Sequence, residues 1–230
     1  MPPIRTSIEA IRRRDLIEAA YLTFLEHGFS GMTMARIGEK AGMSHGIVNY
    51  YFKSKDELLS AVVRKANFLI MQETARLLRQ AHTPRERITA ILNGNFRPDL
   101  FTREIARAWV SYYAVIAQNP DFERLQTVVD RRLQSNLMQA LRQLLDEDEA
   151  RFIATGVAVL IDGFWLRHAK SGDRMDAGGA IAFIERYVDR ELARREAGAG
   201  RGKGGDDEGK ISRGLGLVHR GQGQLHVQPA

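Results

Sequence analysis

The stretch from Thr33 to Tyr51, TMARIGEKAGMSHGIVNYY, constrains this chain more than any other part of it. Two short apolar-periodic runs meet there at a glycine, and each is preceded by a hydroxyl side chain. Thr33 is placed to cap a first helix, in which Ile37 and Ala41 share a face at i, i+4 spacing. Gly42 follows as a residue that enters a left-handed turn without a Cβ penalty, and Ser44 caps a second helix. Two helices joined by so tight a turn predict a helix-turn-helix. In that motif the second helix lies in the DNA major groove and presents its N-terminal side chains to base edges.

On this reading the Ser44 hydroxyl and the first backbone N–H groups of the second helix face a phosphate, while His45, Gly46, Ile47 and Asn49 lie near base edges. Gly46 permits close approach to the groove, and Tyr50 and Tyr51 each carry a phenol able to donate to phosphate. A local reading stands beside it, in which Thr33 and Ser44 only cap and Tyr51 is partly core. The net charge of +6 is uneven, with eight basic and five acidic side chains in residues 1 to 55. Arg5, Arg12, Arg13 and Arg14 would supply salt-dependent phosphate contacts, or simply a solvated helix face. One such headpiece reads few base pairs. A homodimer on palindromic double-stranded DNA is therefore expected, with half-sites about 34–36 Å apart or a multiple of that.

Apolar spacing predicts helices along the rest of the chain and no convincing strand, so the fold is expected to be all-α: an N-terminal three-helix helix-turn-helix headpiece and a larger helical domain for ligand binding and dimerisation. The first helix should run from about Glu9 to His27 and stop at Gly28, with Ile17, Ala20, Tyr21 and Phe24 inward; Phe52 should seal the headpiece. A connector helix should start at Lys55 and reach about Gln80, where Thr83 caps a new helix with Pro84 at its first position. Further helices are expected near Arg85 to Gly94, Asp99 to Gln118, Asp121 to Leu145, from Asp146-Glu147-Asp148-Glu149 to Lys170 with a stop at Ser171-Gly172-Asp173, and Ala177 or Ala180 to Arg194. The domain boundaries expected are 1–55, 56–196 and 197–230, the last Gly-rich and too polar to order itself. Val157, Ile161, Phe164 and His168, with Gly163 allowing close approach, form the expected dimer stripe against Ile181, Ile184 and Val188.

The run Gly42-Met43-Ser44 through Tyr51-Phe52-Lys53-Ser54-Lys55-Asp56-Glu57-Leu58-Leu59, preceded by Thr33 and Ile37, resembles the N-terminal signature of the TetR family of one-component transcriptional repressors. The resemblance implies that Thr33 and Lys55 are phosphate-contacting positions. Asn49 departs from it, standing where family members commonly carry a tyrosine. Further on, Gly94-Asn95-Phe96, Ala108-Trp109, Arg124-Leu125-Gln126, Arg131 to Leu137 and Leu160 to Arg167 resemble the BetI-type branch, choline-responsive repressors of glycine betaine synthesis. What that implies is a small-molecule effector, choline, whose binding shifts the protein toward a state that releases DNA through movement of the connector helix. A repressor answering another hydrophobic or cationic compound is the alternative.

A quaternary ammonium cannot donate a hydrogen bond from nitrogen, so aromatic faces and a carboxylate must recognise it. Trp109, Tyr112 and Tyr113 recur at helical spacing, and Asp162 shares a helix face with Trp165 at i, i+3 inside an apolar run where a lone carboxylate is costly. Such a stripe also reads as ordinary core, and Asp162 could pair with Arg107 or Arg167. An enzyme is not expected: the six histidines are scattered, without an HExxH pair, a phosphate-cradling glycine loop or a Ser/His/Asp set, so neither catalytic residues, metal nor cofactor is assigned. The absence of cysteine and of an apolar run near twenty residues suits a cytoplasmic protein that does not engage a membrane.

Overall fold

A computed structural model of the chain describes residues 7–170 and 176–202, with side chains as far as Arg195. Arg5, the stop at Ser171-Gly172-Asp173 and residues 203–230 lie outside the described residues. Among the described residues there are nine α-helices and no strand: α1 (Ile8–Gly31), α2 (Met34–Ala41), α3 (His45–Tyr51), α4 (Lys55–Leu78), α5 (Pro84–Asn95), α6 (Arg103–Ile116), α7 (Pro120–Leu141), α8 (Glu147–Lys170) and α9 (Ala177–Gly202).

Capping side chains set most of the helix starts. Ser7, Thr33, Ser44, Ser54, Thr83, Thr102 and Asn119 each accept a hydrogen bond from a backbone N–H of the first turn, satisfying a donor the helix itself leaves free. Thr83 and Glu86 complete a reciprocal capping box with Pro84 at the helix start. Gly28 breaks α1 as expected, its φ of 64° lying where a Cβ is costly, and a last turn continues to Gly31. Several boundaries differ from expectation, among them that of α7, which ends at Leu141 rather than near Leu145. α6 begins at Arg103 rather than Asp99, because Arg97 and Asp99 pair with each other and Phe101 turns into the core. α9 runs beyond Arg194 to Gly202, as Arg195, Glu196, Ala197, Ala199 and Arg201 favour helix enough to carry Gly198 and Gly200.

Residues up to Leu192 form one compact unit. Within it Leu16, Ala20, Phe24, Ile37, Val48, Phe52, Leu58 and Val62 pack the headpiece, and α6 and α7 add Tyr112 and Phe122 to the same cluster. A second core is built from α5, α6, α7, α8 and α9. α8 is long and apolar enough to cross a bilayer by composition, but Ile153, Val157, Ile161 and Trp165 are buried in this second core.

That burial overturns the expected dimer stripe. Val157, Ile161, Phe164, Ile184 and Val188 are buried within one chain, and His168 stacks on Phe101 at 4.3 Å between centroids. The apolar side chains that α8 and α9 leave to solvent are others: Phe152 (59% exposed), Val159 (64%), Leu166 (45%) and Phe183 (51%). Within one chain, close helix approach sits at Gly156. A Cβ on Gly163 would meet nothing, whereas one on Gly156 would collide with Tyr187 of α9.

Candidate functional site

The surface expected to read DNA is built by the turn between α2 and α3. Gly42 adopts φ 64°, ψ 31°, and its neighbour Met43 donates from N to the Gly38 carbonyl at 2.8 Å. Gly38 is as necessary as Gly42, since a Cβ there would lie 2.7 Å from the Met43 carbonyl oxygen and 3.1 Å from the Val48 side chain. Ile37 and Val48 are thereby fully buried, which turns Ser44, His45, Gly46, Asn49 and Tyr50 outward, with Ile47 and Tyr51 half-buried at the margin.

The polar groups of this face are partly pre-arranged. Ser44 Oγ accepts from Ile47 N at 3.4 Å and Thr33 Oγ1 from Arg36 N at 3.3 Å, both hydroxyls lying at exposed helix N-termini. Asn49 Nδ2 lies 3.1 Å from His45 Nδ1, an i, i+4 contact that orients both side chains across α3. The Tyr50 ring, 76% exposed, stands edge-on to Tyr51 at 5.1 Å. Lys55 has an internal partner: its Nζ donates to the Phe29 carbonyl at 3.0 Å and lies 3.8 Å from the centre of the Phe29 ring. Arg13 likewise sits over Phe52 at 4.5 Å and reaches Glu57 at 3.9 Å, and Arg14 pairs with Asp15, while Arg12 is exposed.

The second site is a cavity of about 350 Å³ enclosed by α4, α5, α6, α7 and α8. That volume is at the small end of ligand pockets, which run from roughly 300 to 1,000 Å³. Trp109 and Tyr113 from α6 face Asp162 and Trp165 from α8 across it, while Ile70, Met71, Leu78, Ile91 and Leu133 supply apolar wall. Four of the five residues expected at a ligand site are thus brought together. Tyr112 is not among them. It is fully buried on the headpiece side of α6, its ring against Phe122 at 5.7 Å and its hydroxyl donating to the Phe122 carbonyl at 3.4 Å, and burial pushes its pKa up to about 12. A helix face wide enough to hold 109, 112, 113 and 116 spans two environments, and only the packing separates them.

Asp162 has neither hydrogen bond nor ion pair with another described residue; Arg107 donates instead to the Ala169 carbonyl at 3.4 Å. Its side chain is solvent-exposed on the open side of the cavity, while the helices around it partly desolvate the carboxylate. That desolvation, with a smaller contribution from the Asp130 charge, raises its pKa to about 6. Burial and then Asp162 and Asp130 push the Tyr113 phenol upward as well. Asp130 is a cavity residue that sequence reading passed over, as are Asn67, Asn95 and Gln126. The only sequence signal for it is its i, i+4 step from Gln126, within a helix whose other polar residues are mostly solvated. No cluster of three His, Asp or Glu able to hold a metal occurs among the described residues.

Cavity and reading surface share two helices. α4 contributes Leu58, Leu59 and Val62 to the headpiece core and Asn67 to Leu78 to the cavity wall. α6 presents Trp109 and Tyr113 to the cavity and Ser111 to α1, where Ser111 Oγ accepts from Phe29 N at 3.0 Å and donates to the Ala108 carbonyl at 2.6 Å. Phe29 is also the residue that holds Lys55.

Comparison with known proteins agrees with both halves of this construction. Residues 16–62 match the family described as bacterial regulatory proteins, tetR family, and residues 84–193 match the BetI-type transcriptional repressor C-terminal domain. An HTH-type transcriptional regulator BetI from Brucella melitensis is 39% identical over 193 residues, covering 84% of this chain and 96% of its own. This chain belongs to the TetR family, with a BetI-type C-terminal domain. The BetI 1 regulator of Chromohalobacter salexigens is 38% identical over 191 residues, 83% of this chain and 95% of its own. Among solved structures, a putative transcriptional regulator from Pseudomonas aeruginosa PAO1 has the same fold at a TM-score of 0.71 and 23% identity, covering 83% of this chain and 95% of its own. A putative regulator from Saccharomonospora viridis, solved in complex with choline, superposes at 0.70 with 19% identity, covering 77% of this chain and 95% of its own. The BetI-type chain is therefore a ligand-responsive, DNA-binding transcriptional repressor and not an enzyme.

Proposed function

We propose that this BetI-type repressor senses choline in the cavity between α4 and α8 and controls genes of choline uptake and glycine betaine synthesis. The observation that carries the reading is the cavity's lining, two tryptophans and a tyrosine around a carboxylate that forms no ion pair with another described residue. Aromatic faces attract a quaternary ammonium through their quadrupoles, and the carboxylate balances a charge that needs no hydrogen-bond donor. The modest volume favours choline over a bulky hydrophobic cation.

DNA is read by Thr33, Ser44, His45, Gly46, Ile47, Asn49, Tyr50 and Tyr51, with two chains spanning a palindromic operator in the cytoplasm. The second chain covers Phe152, Val159, Leu166 and Phe183, a face whose first three members recur every seven residues along α8. Choline between Trp109 and Trp165 favours an arrangement of α6 and α4 in which the two headpieces no longer match the operator. By reciprocity, operator DNA then weakens choline binding. Calorimetric titration with choline, glycine betaine and a bulky cationic dye tests the ligand, and operator titration with and without saturating choline tests release. Saturable choline binding above both controls, with weakened operator affinity, is the expected result. An operator affinity that ignores choline would sink direct induction by release.

A further inference from the structure

The cavity contains a second carboxylate, and its placement bears on which end of a ligand goes where. Asp130 reaches the cavity from α7 and Asp162 from α8. The two groups are set up differently. Among the described residues Asp162 has no hydrogen-bonding partner, whereas Asp130, exposed at the margin of the cavity, accepts through Oδ1 from Gln126 Nε2 at 2.8 Å, which orients the carboxylate and leaves Oδ2 without a bond. The remaining charged side chain of the lining is Arg132, two residues along α7. Asn67 and Asn95, also in the wall, donate their amide nitrogens back to the Val63 and Ile91 carbonyls at 3.0 and 2.8 Å, so their side-chain oxygens are left as acceptors.

With both aspartates ionised, this lining carries one negative charge more than positive. A monocation brings it to neutrality. A zwitterion brings no net charge and sets its own carboxylate among acceptors and a fixed carboxylate. Resting on the cation-cage reading above, we infer that Asp130 is the selectivity residue of the cavity: it accepts a hydrogen bond from the hydroxyl of a small quaternary ammonium alcohol and repels the corresponding carboxylate, while Asp162 and the aromatic rings hold the ammonium end. The two aspartates thus have separate duties. One senses charge and the other senses what the cation is attached to. A site that offers a hydroxyl donor an oriented acceptor also favours that ligand over one lacking the hydroxyl, because the hydrogen bond is then not made.

The test is equilibrium titration of the full-length protein, followed by tryptophan fluorescence of Trp109 and Trp165 and by calorimetry, with choline, tetramethylammonium and glycine betaine as probes. The wild type is expected to prefer choline over tetramethylammonium, which lacks the hydroxyl, and to bind glycine betaine weakest. Asp130→Asn removes the charge but keeps size, and should narrow the choline to glycine betaine ratio by about tenfold, chiefly by raising glycine betaine affinity, the scale of one charged hydrogen bond. Asp130→Glu should keep the exclusion of glycine betaine. Asp162→Asn should weaken choline and tetramethylammonium together and leave their ratio alone.

If choline and tetramethylammonium bind but Asp130→Asn leaves all three affinities in the wild-type ratio, the role of Asp130 is overturned while the cation cage survives. If wild-type protein binds glycine betaine as tightly as choline, and Arg132→Ala abolishes that, the guanidinium reads the ligand carboxylate and the inference is equally overturned. Failure of every cation, tetramethylammonium included, to bind folded wild-type protein would sink the cage itself and Asp130's role with it.

Discussion

The proposed reading surface and the proposed effector cavity are built on opposite plans. From Thr33 to Lys55 every determinant is local: two caps, one glycine in the left-handed region, one glycine without room for a Cβ, and two buried aliphatics. The cavity instead takes a few side chains from each of five helices spread from Asn67 to Trp165. A local device has fixed internal geometry and can be moved as a rigid body. A distributed one changes shape when any of its helices shifts. Coupling between them therefore belongs to the helices they share, α4 and α6, and substitutions at one site should leave the other's intrinsic affinity intact.

The largest effect expected from breaking this division is on the local side. Gly38→Val places its side chain against the Met43 carbonyl and Val48, and must push α2 from α3. Overpacking of this kind costs about 1–3 kcal/mol, and it disturbs the relative placement of Thr33 and Ser44 as well. Operator affinity measured by anisotropy should fall beyond detection, while choline titration of the same protein remains as in wild type. Loss of choline binding in Gly38→Val would show that the two sites are not separable.

On the distributed side, Asp162→Asn keeps shape and removes charge. Choline affinity should fall by roughly tenfold or more, in line with the 1.5–3 kcal/mol of an interaction with a charged group, and operator binding should become insensitive to choline while keeping its wild-type affinity. A third effect, smaller near neutrality, is pH dependence. The folded-state pKa of Asp162 is raised to about 6, above its ordinary value of 3.8, mainly by desolvation. Raising it makes the charged form costly in the folded state, so the free protein loses stability through this group as pH rises from about 4 to about 6. The cation binds the charged form, so choline affinity should rise over the same window and level off above it, with one proton released per choline bound near pH 5. Calorimetry in buffers of different ionisation enthalpy measures that proton. Affinity flat from pH 4.5 to 7.5, or a slope that persists in Asp162→Asn, would assign the charge elsewhere.

What the sequence could and could not disclose follows the same division. Caps, turn glycine and spacing lie next to one another in residues 33–55, so the headpiece was legible from short-range chemistry. Trp109, Tyr113, Asp162 and Trp165 were legible as chemical types that need one another, although Tyr112 has the same type and spacing and faces the other core. Asp130 was not legible, because a carboxylate on an amphipathic helix is ordinarily solvated and only the arrival of α8 makes it a cavity wall. The stripe on α8 failed for a related reason. That helix is apolar on both faces, 157-161-164 and 152-159-166, and periodicity alone does not say which one the chain buries against itself and which it leaves outside.

The smallest effect expected concerns Lys55, where local and distributed roles meet. Its position in the headpiece signature suggests a phosphate contact, but its ammonium is bonded to the Phe29 carbonyl and lies over the Phe29 ring, and Phe29 N is in turn held by Ser111 of α6. The chain of contacts from cavity wall to reading head therefore passes through this lysine. Were Lys55 to neutralise a phosphate, Lys55→Met would lower the slope of log K against log salt by about 0.9. The expectation here is a salt slope unchanged, a loss of stability of about 1 kcal/mol from the hydrogen bond and ring contact, and a weaker response of operator affinity to saturating choline. A reduced slope with full choline response would instead make Lys55 part of the DNA contact and leave α6 to act on the headpiece through its other contacts, Ser111 with Phe29 and Trp109 with Phe24.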